Sequence, residues 1–192
     1  MKKSEVVTIL GSQSCKCEDS YTSIPEDATI LIYITERPNQ KVLLTSRGWY
    51  FKYITDSKGK DLLRNQTEKV YTTFKDVGEH KIAVKINNEL NSFEYCFYEC
   101  ENLQSIPEDL FRNCYNVRIF SYCFFGCHSL NFIPNRLLYN CTKATSFESC
   151  FERCRKLSFI PEDLFTYCPD AKFFTDCFKD CSDILDIPEE WK

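Results

Sequence analysis

The residues best suited to chemistry in this chain are its cysteines. There are 13 of them among 192 residues, beside 5 glycines and 2 histidines. Eleven fall into columns with a step of 27: Cys96, Cys123, Cys150 and Cys177; Cys100, Cys127, Cys154 and Cys181; and Cys114, Cys141 and Cys168. Thiols at fixed spacing can bind zinc, pair as disulfides or fill a core as small apolar groups. Zinc requires four ligands converging tetrahedrally, usually from C-x2-4-C pairs that face each other. Here the thiols share their spacing with phenylalanines and recur in every copy, which favours buried, reduced core thiols. A disulfide ladder between stacked columns is the intermediate reading, and the odd total leaves at least one thiol unpaired within the chain. Cys15-Lys16-Cys17 lies outside the columns and offers only two ligands.

Other chemistry has little support. His80 sits in a strand-like run and His128 at a variable repeat position. No G-x-S-x-G, H-E-x-x-H or phosphate-cradling glycine loop is present. Glu108-Asp109 and Glu162-Asp163 recur because the repeat recurs, and they read as charges at helix starts rather than a general acid/base pair. Asn65-Gln66-Thr67 and Asn140-Cys141-Thr142 fit a glycosylation acceptor that is common by chance. The chain therefore reads as non-enzymatic, with no cofactor and no metal. A hydrophobic fraction of 43% excludes wholesale disorder, and a net charge of −4 gives no footprint for nucleic acid. No apolar run reaches the roughly 18 residues of a membrane span or forms a signal-peptide core. The expectation is synthesis in the cytoplasm, without membrane insertion.

Two kinds of element must position these residues. From Phe93 onward the apolar positions keep the cysteine step: Phe93, Phe120, Phe147, Phe174; Phe97, Phe124, Phe151, Phe178; Leu103, Leu130, Leu157, Ile184. The pairs Ile106-Pro107, Ile133-Pro134, Ile160-Pro161 and Ile187-Pro188 follow the same rule. A fixed period in this range predicts a stacked solenoid. Phe93, Cys96, Phe97 and Cys100 stand at i, i+3, i+4 and i+7, which predicts a short helix, and Pro107, Leu110, Phe111 and Cys114 predict a second. Before residue 90 the pattern changes to β-branched and aromatic runs at Thr29–Thr35, Lys41–Thr45, Trp49–Ile54, Lys69–Phe74 and His80–Ile86. These predict a small antiparallel β-sandwich over residues 1–90, which caps a solenoid over residues 91–192.

The run Cys96-Phe97-Tyr98-Glu99-Cys100-Glu101-Asn102-Leu103-Gln104-Ser105-Ile106-Pro107 resembles the BspA-type leucine-rich repeats of bacterial surface proteins, as does Pro107 to Cys114. Tyr71 to Ile86 is similar to the closing strands of a PKD-type, immunoglobulin-like module. The W-G-D-G turn common in such modules is absent, so no calcium site is carried over from it. The resemblance implies an Ig/PKD-like β domain followed by an α/β leucine-rich-repeat solenoid, with roles in display, adhesion or structure. The first expectation is an accessory (decoration or appendage) component of a phage virion or similar assembly. The alternative is a bacterial cell-surface adhesin. The implied partners are proteins of a capsid or tail scaffold or of a host surface, with a carbohydrate or other host-surface ligand as a second class.

One local signal marks a binding face. Opposite the core positions, the first repeat carries Tyr95 and Tyr98 and the second Tyr122 and Phe125, where later copies hold Ser149, Glu152, Asp176 and Lys179. Contiguous outer aromatics mark a partner site or a surface that the β domain or a neighbouring subunit covers.

Overall fold

A computed structural model describes residues 24–191 of the chain, apart from 65 and 67. Cys15, Cys17, Asn65 and Thr67 lie outside the described residues.

The β-branched runs form strands. These are β1 (Thr29–Thr35), β2 (Gln40–Thr45), β3 (Phe51–Asp56), β4 (Val70–Phe74) and β5 (Gly78–Ile86), followed by β6 (Leu103–Ser105). Among the described residues only two 3₁₀ turns, Gly48–Tyr50 and Glu189–Trp191, are helical. One sheet has the order β3-β5-β1-β6 and the other pairs β2 with β4, with every pairing antiparallel. Tyr33 of β1 joins the two sheets: it is buried, and its hydroxyl donates to the Leu44 carbonyl of β2 at 2.6 Å.

The expected fold class needs correction on both counts. First, the sheets do not close into a sandwich. A two-stranded ribbon is too narrow to cover a four-stranded sheet, and the remaining apolar surface meets the first repeat instead. Phe51 packs edge-on against Phe97 and Tyr50 against Phe93, at centroid distances of 5.8 and 5.5 Å. The buried residues of both regions form one continuous core, and β6, which pairs with β1, comes from the first repeat.

Second, there is no α/β solenoid, because neither predicted helix forms. The segment Phe93–Cys100 is two successive F-x-x-C tetrads, and the third residue of each is left-handed. Tyr95, Glu99, Tyr122, Gly126, Ser149, Arg153, Asp176 and Asp180 all have φ between 50° and 68°. A left-handed residue every fourth position stops a right-handed helix from propagating. Each tetrad closes instead as a tight turn, with the cysteine N–H donating to the phenylalanine carbonyl: Cys96 to Phe93 at 3.1 Å, Cys100 to Phe97 at 3.0 Å. The Pro107–Cys114 segment is likewise a run of turns, with Leu110 N–H on the Pro107 carbonyl and Cys114 N–H on that of Phe111.

The 27-residue step is a spatial stack of these turn-built rungs. Parallel bridges link Ser92, Ile119, Ser146 and Phe173. Alternate N–H groups point along the stack: those of Phe93, Tyr95, Phe97 and Glu99 donate to the carbonyls of Ile119, Ser121, Cys123 and Phe125 at 2.7–3.2 Å. The left-handed residue aims these donors at the next rung, so its strain, about 1–2 kcal/mol for a non-glycine, is offset by hydrogen bonds that a helix would spend internally. Gly126 shows that conformation is the constraint: a Cβ there would meet Glu99 at an ordinary 3.6 Å, yet φ is +68°.

Inside the rungs the phenylalanines form two ring columns. Phe97, Phe124, Phe151 and Phe178 stack within 6° of parallel at 5.2–5.4 Å. Phe120, Phe147 and Phe174 stack beside them at 5.4 and 5.8 Å. Trp191 lies against Phe165, Phe174 and Phe178 at the far end.

The first rung has no preceding rung, so its outward carbonyls need other donors. The end of β2 and the turn after it supply them. Thr45 Oγ1 and the Ser46 N–H donate to the Cys96 carbonyl, Ser46 Oγ to that of Tyr98 at 2.6 Å, and the Tyr50 hydroxyl to that of Glu94 at 3.2 Å. Three side-chain hydroxyls and one backbone N–H thus replace the backbone of a missing rung.

Candidate functional site

The cysteine columns are buried throughout and carry no disulfide. Cys100, Cys127, Cys154 and Cys181 close the second tetrad of their rungs. The thiols of Cys127, Cys154 and Cys181 donate to the carbonyls of Phe97, Phe124 and Phe151 in the preceding rung at 3.2, 3.3 and 3.0 Å. Each of those carbonyls also accepts the N–H that closes its own turn, so the thiol uses the second lone pair. Cys168 bonds the Cys141 carbonyl at 3.5 Å in the same way. Burial raises every one of the eleven thiols, pushing Cys114, Cys168 and Cys181 up to about 12. A thiol held protonated is neither a nucleophile nor a metal ligand at neutral pH. Among the described residues no group of three His, Cys, Asp or Glu side chains is placed to hold a metal ion.

Tyr95, Tyr98, Tyr122 and Phe125 do come together. They lie on turns rather than on a helix face, which corrects their expected setting: Tyr95 and Tyr122 are the left-handed third residues of their tetrads. The stack places each ring directly over its counterpart. Tyr95 stacks on Tyr122 and Tyr98 on Phe125, both pairs at 4.9 Å and 9° from parallel. Within a rung the rings meet more steeply, Tyr95 and Tyr98 at 5.4 Å, Tyr122 and Phe125 at 5.9 Å. The result is a two-by-two block of half-buried rings.

Cations close both ends. The Arg47 guanidinium sits 5.5 Å from the Tyr95 ring and 5.2 Å from that of Trp49, itself 48% exposed. Arg153 sits 5.3 Å from the Phe125 ring and within ion-pair reach of Glu152 and Asp180, at 3.8 and 3.7 Å. The outer faces of Tyr95 and Phe125 are thus covered by cations, and the block offers the hydroxyls of three tyrosines. None of these hydroxyls has a hydrogen-bond partner among the described residues. Partial burial raises Tyr95 and Tyr98, with Glu94 and Glu99 adding to the effect, so both stay protonated donors.

Arg47 and Trp49 escape a reading by repeats because they lie in the β region. Gly48-Trp49-Tyr50-Phe51 reads as the start of a strand, whereas Gly48–Tyr50 is a 3₁₀ turn that turns Tyr50 inward and Trp49 outward. An apolar residue left exposed at a strand start is the only signal the sequence offers. In the third rung Ser149 and Glu152, at the positions of Tyr122 and Phe125, are buried, so the aromatic block ends there.

Comparison with known proteins identifies no relative: no family model, no curated protein and no solved structure matches the chain. Among the described residues no helix is long and apolar enough to cross a membrane.

Proposed function

We propose that this chain is a non-catalytic structural and interaction protein that engages a protein partner through Tyr95, Tyr98, Tyr122 and Phe125, with Arg47, Trp49 and Arg153 at the margins. The observation that carries this reading is the fully assembled ring block with three unpartnered hydroxyls. Tyrosine and arginine concentrate binding energy because they combine large, rigid contact area with directional donors. The ring-on-ring stacking fixes the side chains in advance, which lowers the ordering cost of association. The thiols support the non-catalytic part, since the eleven of the repeat columns are buried and protonated, and Cys127, Cys154, Cys168 and Cys181 donate to carbonyls of the preceding rung.

The setting proposed is an accessory component of a phage virion or similar assembly. Eleven buried free thiols suit a chain that folds and assembles in a reducing compartment. The BspA-type adhesin is the other setting that the repeat resemblance suggests. Tyr98→Ser/Phe125→Ser tests the contact face. Wild type should co-purify with its native partner from source cells, and the double variant, still cooperatively folded, should lose it. A folded variant that retains every partner removes the site.

A further inference from the structure

A second surface, away from the ring block, carries chemistry that the proposed protein contact does not use. Each repeat passes through an Ile-Pro corner, and the residue before the isoleucine is Ser105, Phe132, Phe159 and Asp186 in turn. In the second and third rungs this places Phe132 and Phe159 on the surface, 39% and 51% exposed. They line a groove of about 670 Å³ together with Glu108, Asn135, Arg136 and Asp163. Neither phenylalanine makes a ring contact with another aromatic among the described residues, in contrast to the core columns and the tyrosine block. The carboxylates of Glu108 and Asp163 and the Asn135 amide make no side-chain hydrogen bond or ion pair there. The Arg136 guanidinium rests only on the Tyr139 ring, at 4.5 Å.

We propose that this groove binds a neutral carbohydrate chain, with Phe132 and Phe159 as two adjacent sugar platforms. Exposed aromatic side chains on an open, shallow surface pack against the apolar C–H faces of pyranose rings. Planar amide, carboxylate and guanidinium groups beside them match the donor and acceptor pairs of vicinal hydroxyls. Charge selects against an acidic polysaccharide: Glu108 and Asp163 outnumber Arg136, and the whole chain carries −4. Because Phe132 and Phe159 hold the same position on successive rungs and line one depression, both can contact a single chain.

The test is retention on a microarray of neutral hexose and N-acetylhexosamine oligosaccharides, with sulfated and uronate glycans as controls. The full chain should bind at least one neutral glycan. Phe132→Ala/Phe159→Ala should weaken that binding by about tenfold or more, while Tyr98→Ser/Phe125→Ser leaves it unchanged, so this site and the protein contact fail independently. Should the phenylalanine variant not fold, the exposed Asn135→Ala answers instead, with weaker retention supporting the site and unchanged retention overturning it. No retention of a neutral glycan, retention of acidic glycans alone, or binding indifferent to Phe132 and Phe159 also overturns the proposal.

Discussion

The two regions of this molecule solve the same backbone problem in different ways. In the β region, strands pair side by side and extended residues such as Ile82, Val84 and Ile86 supply the buried face. In the repeat region almost nothing is extended. Turns closed by a left-handed residue send every second N–H to the next rung, and the pairing runs along the stack. The difference lies in where the order comes from. A strand draws it from β-branched residues along one segment, whereas a rung draws it from having another rung on each side. That dependence explains why the first rung needs Thr45, Ser46 and Tyr50 as substitute donors.

If rungs support each other, damage to a central ring should exceed that of a typical surface change and spread across the joint core. Phe124 is the sharpest probe, stacked on Phe97 at 5.2 Å and Phe151 at 5.3 Å. Phe124→Ala should cost about 3–5 kcal/mol in urea unfolding. Because one core spans both regions, the β region and the rungs should melt together. Separate transitions would break the picture of a shared core.

The thiols give the next effect, confined to the repeats. Cys114, Cys168 and Cys181 titrate from an ordinary 9.0 when unfolded and are pushed up to about 12 when folded. A raised folded value means that the folded state holds the proton more tightly, so the contribution is complete below pH 9 and is lost as pH rises towards 12. Urea midpoints should therefore fall steadily above pH 9, and thiol-reactive dye should label the eleven cysteines only as the chain unfolds. Rapid labelling of any of these eleven in the native protein at neutral pH would contradict this.

The smallest effect separates turns from helices by its sign. Glu99 is exposed, with φ at 58°. In a turn of this hand, Glu99→Gly relieves strain and should leave stability unchanged or raise it by up to about 1 kcal/mol. In a helix interior the same change costs about 1 kcal/mol. The corresponding change in the β region, Lys81→Gly in the middle of β5, should be destabilising.

Much of this arrangement is legible in the sequence. Thr29–Thr35 is β1 as its composition suggests, and Phe74 ends β4, because β-branched runs bounded by turn residues have few alternatives. Which residues are buried in the rungs is equally plain, since Phe93, Cys96, Phe97 and Cys100 recur at a fixed step. Their conformation is not. Spacing of i, i+3, i+4 and i+7 fits one face of a helix and two four-residue turns equally well. Nothing about tyrosine, glutamate or arginine at positions 95, 99 and 153 advertises a positive φ, because the preference comes from the neighbouring rung and not from the residue. The same holds for the site. The four aromatics are visible as a column, but Arg47 and Trp49 reach it only through a turn in the other region. Phe132 and Phe159 are visible as a repeat position, yet their exposure depends on the corner geometry at Ile-Pro.

The central claim is that the rungs are built from turns with a left-handed third residue. Backbone chemical shifts and scalar couplings of the folded chain measure φ at Tyr95, Glu99, Tyr122, Gly126, Ser149, Arg153, Asp176 and Asp180. The account predicts positive φ at all eight positions. Negative, helical φ across Phe93–Cys100 and its copies would contradict it.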